Sequence, residues 1–114
     1  MKVRNIINEK GNVVKNQFDV IEGCNHTFVS YETTIAEAHL ASAFINISDR
    51  AFNYSMTTTR HFLNWFENVL TIKKPTRKEV EEWMEWGFIP SGKNVYATSI
   101  EVRVVDADLL NMEE

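Results

Sequence analysis

The sequence predicts an α+β domain in which an antiparallel sheet of about four to six strands carries two helices on one face. Three observations carry this expectation. Short alternating apolar segments fill the chain up to Ser48, two segments of helical period follow between Ser55 and Trp86, and one more alternating segment runs from Tyr96 to Val105. Strands first, helices next and a closing strand is the order in which helices segregate to one side of an antiparallel sheet.

Val3, Ile6 and Ile7 mark a first short strand, and Lys10-Gly11-Asn12 supplies the turn after it. From Val13 to Ile21, Phe18 and Val20 fall on one side of a strand and Gln17 and Asp19 on the other. Glu22-Gly23-Cys24-Asn25 offers a glycine able to take positive φ, and His26 to Glu32 returns as the second arm of a hairpin. The β-branched run Thr33, Thr34 and Ile35 favours strand up to His39, although the following AEAHLA also suits a short helix. Ala43 to Ser48 alternates, with Ile45 and Ile47 on one face.

The segment Asn53 to Leu70 organises the rest. Ser55 or a neighbouring threonine can cap the helix, and at about 100° per residue Phe62, Leu63, Phe66, Val69 and Leu70 share one stripe with Trp65 on its flank. Lys73-Lys74-Pro75 interrupts the helix. Thr76 and Glu79 have the spacing of a capping box, which opens a second helix from Arg77 to Trp86. Val80, Trp83 and Met84 face inward, Glu81, Glu82 and Glu85 face outward, and Gly87 ends the helix in the left-handed conformation. Pro90, Ser91 and Gly92 form a loop before the final strand, in which Ile100, Val102 and Val104 point inward. The acidic end DADLLNMEE is expected to be partly disordered.

With 114 residues the chain reads as one domain, 1–114. Its 44% hydrophobic and 25% charged residues place it among ordinary globular proteins. Twelve basic against sixteen acidic residues give a formal net charge of −4, which argues against a dedicated duplex DNA binder. The lone Cys24 excludes an internal disulfide and suits a reducing cytoplasm, so the Asn25, Asn46 and Asn53 sequons read as chance matches. No apolar run approaches the roughly 20 residues of a membrane span, and the N-terminus lacks the apolar segment of a signal peptide.

Several short elements together resemble a family of short proteins of unknown function from bacteriophages and other mobile elements. The resemblance rests on Phe28, Ser30 and Tyr31 in an F-x-S-Y segment, Ile35 with Ala36, and Phe52, Tyr54, Ser55, Thr57 and Thr58 around a Y-S-x-T-T segment. Trp65 and Phe66 stand at an apolar pair, and Thr76 to Glu79 at the start of a second helix, so the likeness spans roughly 17–88. Val29 and Phe52 depart from the glutamine and tryptophan of that pattern, and Trp83 to Trp86 and the final strand fall outside it. The resemblance implies a phage or mobile-element setting in a bacterial host cytoplasm, with no activity or catalytic residue attached to it.

Candidate chemistry is sparse. Cys24 and His26 could begin a metal site only if His39 and His61 converged on them, and Ser55 or Thr57 with His61 and Asp49 is a nucleophile set only on paper. No catalytic, cofactor or metal residue is therefore assigned, and the chain is expected not to be an enzyme. The leading expectation is a small accessory protein that binds a host or phage protein, such as a CRISPR effector of a host defence system, with a homodimer as a further option. Trp65 and Trp86, each on the flank of its stripe, and the acidic Glu81, Glu82 and Glu85 are the candidate interface. The rival expectation is nucleic-acid binding through Arg60 and the cluster Lys73, Lys74, Arg77 and Lys78.

Overall fold

The computed structural model describes residues 1–93 and 99–112. The chain opens as a meander of β1 (Lys2–Ile7), β2 (Val13–Glu22), β3 (Asn25–Ser30), β4 (Thr33–His39) and β5 (Phe44–Ser48). Its first two turns form where the sequence allows positive φ: Gly11 sits at φ 80° and Gly23 at φ 61°. The Asn8 side chain accepts from the N–H groups of Lys10 and Asn12 and so closes the first turn. Two helices follow, α1 (Met56–Leu70) and α2 (Arg77–Trp86), then β6 (Phe88–Ile89), β7 (Ile100–Val105) and the short α3 (Ala107–Leu110).

The seven strands lie in the order β1-β2-β3-β4-β5-β7-β6. Every pair is antiparallel except β5 with β7, which run parallel because α1, α2 and β6 carry the chain across between them. The sheet thus exceeds the expected about four to six strands by β6, which at two residues is too short to show a period. The first part of the segment expected as strand from Tyr96, residues 96–98, lies outside the described residues; Ile100–Val105 is strand as expected.

Local chemistry sets the helix ends. Ser55 Oγ accepts from the Thr58 N–H at 3.0 Å, and Thr76 and Glu79 form the reciprocal box, with Glu79 N–H donating to Thr76 Oγ1 at 3.2 Å and Thr76 N–H to Glu79 Oε1 at 3.1 Å. Gly87, at φ 85°, ends α2. Residues 106–111 of the acidic end are ordered, while residues 113 and 114 lie outside the described residues. Asp106 caps α3, the Ala107 N–H donates to Asp49 Oδ1, and Asn111 both accepts from the Thr34 N–H and donates to the Thr34 carbonyl.

Both α1 and α2 pack on one face of the sheet, where Phe62, Trp65, Phe66, Val80 and Trp83 join Phe28, Ile45, Ile47, Ile89, Ile100 and Val102 in a single core. Aromatic rings dominate it: Phe62 lies 5.6 Å from Phe28 and 4.9 Å from Phe66, and Trp83 meets Phe66 edge-on at 5.8 Å. The alternation of β2 is real, but its polar residues are the inward ones: Gln17 and Asp19 are buried, while Phe18 and Val20 sit half-buried on the opposite face. Asp19 explains this inversion. Its carboxylate accepts from Trp65 Nε1 at 3.1 Å, from Arg4 Nε at 3.2 Å, and bonds His26 Nδ1 at 2.9 Å.

Trp65, expected on the flank of the α1 stripe and named as an interface candidate, is therefore fully buried. The buried side of α1 is wider than its apolar stripe because Thr58, His61 and Asn64 also turn toward the sheet. Gln17 contrasts with Asp19, since neither its amide nitrogen nor its amide oxygen has a partner among the described residues. Removing the Asp19 partner should be costly and removing the Gln17 amide should not. Asp19→Ala is expected to lose about 3 kcal/mol in urea unfolding, because it strands a buried indole N–H and leaves Arg4 and His26 without their shared carboxylate. Gln17→Leu is expected to be neutral or more stable by about 1 kcal/mol. Equal losses in both variants would remove the special role given to Asp19.

Candidate functional site

The five basic candidates do not form one patch. Arg60 from α1, Lys74 from the interhelical loop and Arg77 from the first turn of α2 converge on a cleft of about 360 Å³, whereas Lys73 and Lys78 do not line it. Phe52, Met56 and Leu63 give the cleft an apolar wall, Ser55 and Thr59 add hydroxyls, and among the described residues no carboxylate lines it. The Arg77 guanidinium lies 5.0 Å over the Phe52 ring and bonds Glu81 Oε1 at 3.1 Å, while Lys74 Nζ lies 3.6 Å from Glu9 Oε1. Arg60 has no ion-pair partner among the described residues.

At the other end of α2 the second tryptophan behaves differently from the first. Trp86 is 50% exposed, and its ring lies 5.9 Å from that of Phe88, itself 43% exposed. Phe88 points away from the core because Ile89, its neighbour in β6, points into it. In register, Phe88 lies beside Glu101, Glu101 beside Phe44, and Phe44 beside His39, a row across four strands on the face opposite α1 and α2. The Arg103 guanidinium stacks 3.8 Å over Phe44 and is held by both carboxylate oxygens of Glu101. The sequence reading missed Phe88, Phe44 and Arg103; the signal for Phe88 was its place two residues from Trp86 across a chain-reversing glycine. Of the acidic candidates, Glu81 and Glu85 are exposed and Glu82 is half-buried.

The segments behind the family resemblance meet in space. Ser30 Oγ lies 3.0 Å from Thr58 Oγ1, which also accepts from Ser55 Oγ at 3.1 Å, so a chain of hydroxyls fastens β3 to the start of α1. Tyr31 and Tyr54 flank a second cleft of about 240 Å³ beside them. Tyr31 takes φ 57°, an uncommon conformation for an aromatic residue, and its N–H donates to the carbonyl of Asn16, itself at φ 62°.

The residues proposed on paper for metal or nucleophile chemistry go to separate places. His26 bonds Asp19, His39 stacks on Phe44 at 4.6 Å, and Cys24 is exposed in the β2–β3 turn. Among the described residues no three metal-binding side chains converge. Ser55 caps α1, His61 meets the Asn64 amide at 3.3 Å, and Asp49 accepts from the backbone of α3.

The proton affinity of His61 is lowered in the folded chain. Burial holds it below the ordinary imidazole value, the Arg60 charge adds to this, Glu9 opposes it and Lys74 lowers it further. The unfolded chain therefore takes up a proton that the folded chain resists once pH falls below about 6.5. The stability linked to His61 is full above that value and is lost as pH falls from it toward the lowered folded value. Unfolding free energy is expected to drop between about pH 7.5 and about pH 5.5, and the drop should shrink in His61→Gln. An unchanged drop in that variant would assign the acid sensitivity to other groups.

Comparison with the curated proteins and with the solved structures finds no match. A family model matches residues 1–82, from β1 into α2, so that Trp86, Phe88 and β7 lie beyond the matched part. Covering well over half of the chain, this match places the protein in the family of unknown function DUF8033, to which it belongs.

Proposed function

We propose that this protein is a non-catalytic accessory factor that acts by binding another protein through the surface centred on Trp86 and Phe88. The carrying observation is the tilted, half-exposed aromatic pair at the C-terminal end of α2, beside the outermost strand of the sheet. An exposed tryptophan beside another aromatic ring is the composition of interface anchors, and an edge strand offers backbone groups to an incoming chain. Glu81 and Glu85 are the acidic members of the same helix and would form its charged rim.

The setting rests on the resemblance to phage and mobile-element proteins. On that reading the partner is a host protein, with a CRISPR effector or another component of host defence as the specific case, and the site of action is the bacterial cytoplasm. A homodimer through the same surface is the alternative protein partner. The nucleic-acid rival draws on Arg60, Lys74 and Arg77, yet Lys73 and Lys78 lie outside the cleft, so the basic candidates do not line up as one track for a phosphate backbone.

Affinity capture from a bacterial host, with mass spectrometry, supplies the partner, and the decisive comparison is between two variants that both fold. Trp86→Ala is expected to weaken binding by about 2 kcal/mol or more, roughly thirtyfold in Kd, while Lys73→Ala with Lys74→Ala mainly slows association. In a host whose CRISPR system targets a phage, expression of the protein should raise plaque formation and Trp86→Ala should abolish the gain. Loss of binding only in the lysine variant, with steep salt dependence, would transfer the function to nucleic acid.

A further inference from the structure

We infer that the cleft between the start of α1 and the start of α2 is a binding site for a small organic phosphate, a phosphate monoester carried on an apolar or aromatic body. The site is distinct from the Trp86 surface and does not depend on the protein-binding reading. In a chain of net charge −4, a cleft of about 360 Å³ presents three cations, Arg60, Lys74 and Arg77, and among the described residues no carboxylate lines it. Such a local reversal of sign is what concentrates an anion from solution.

The two sides of the cleft specify the two halves of the ligand. Met56 is 85% exposed at the first position of α1, and with Phe52 and Leu63 it forms an apolar wall that an aromatic or aliphatic body would cover. The cations would hold the anionic head. Arg60 is already without an ion-pair partner among the described residues. Lys74 and Arg77 are joined to Glu9 and Glu81 by ion pairs at 3.6 and 3.1 Å, and the carboxylates of both pairs are more than half exposed, so either cation exchanges its partner at little cost. Two arginines suit the planar, bidentate recognition of phosphate, and a dianionic monoester matches a site of several cations better than a monoanionic carboxylate does.

Phenyl phosphate is the probe, titrated into the full-length protein while backbone amide resonances are followed. Saturable shifts centred on Met56, Arg60, Leu63 and Arg77 are expected, with inorganic phosphate binding several-fold more weakly. Arg60→Ala should weaken phenyl phosphate about tenfold. Met56→Asp, which places a like charge in the lining at an exposed position, should weaken it at least as much, and both variants should keep the wild-type melting temperature. The absence of saturable shifts up to the solubility of the probe would overturn the assignment. So would equal affinity for inorganic phosphate, or unchanged affinity in both folded variants.

Discussion

The Asp19 carboxylate beneath α1 is the constraint on which the arrangement depends. Sealing an ionised group away from water costs several kcal/mol, and the cost is met only when its oxygens are fully used. Here they are used by Arg4 of β1, His26 of β3 and Trp65 of α1, so one side chain of β2 ties four elements together. A slip of β2 by one residue would put Phe18 or Val20 beneath the indole N–H, which fixes the register as firmly as apolar alternation does elsewhere. Two helical turns earlier, Thr58 meets Ser30 of β3. Two polar attachments on one side of α1 settle both its position and its direction across the sheet.

With α1 held in this way, the two candidate surfaces fall at opposite ends of α2. Arg77 stands in its first turn and Trp86 at its end, about 13 Å apart along the helix axis. One end gathers positive charge beside an apolar wall, and the other presents a pair of half-exposed rings beside a sheet edge. A cation at a helix start opposes the helix dipole, and here Arg77 leans on Phe52 with its charge facing the cleft.

What the sequence made legible was local chemistry. The Gly11 and Gly23 turns, the Ser55 cap, the Thr76–Glu79 box and the Gly87 stop all formed where residue type demanded them. Three features were hidden because they depend on distant partners. The inward turn of Gln17 and Asp19 defies apolar alternation and is explained only by Trp65, 46 residues away in the case of Asp19. The burial of Trp65 has the same cause. The parallel place of β7 between β5 and β6 reflects a crossover that no short window contains. The cleft was half legible: Arg60 and the lysine cluster were noticed, but not which of these cations would share a wall with Met56 and Leu63.

The position of β7 carries a consequence for synthesis on the ribosome. The strand that separates β5 from β6 is made after both of them, so the outer edge of β5, with its inward Ile45 and Ile47, has no partner strand while residues 49–99 are being produced. β6 pairs only with β7 and must wait as well. During that interval the nascent chain displays an open sheet edge beside unfinished aromatic packing, the condition under which neighbouring chains on a polysome pair with one another. Once β7 enters, Asp49 N–H bonds the Val105 carbonyl and Asn111 clasps Thr34, so the late segment closes the edge and fastens itself in the same event.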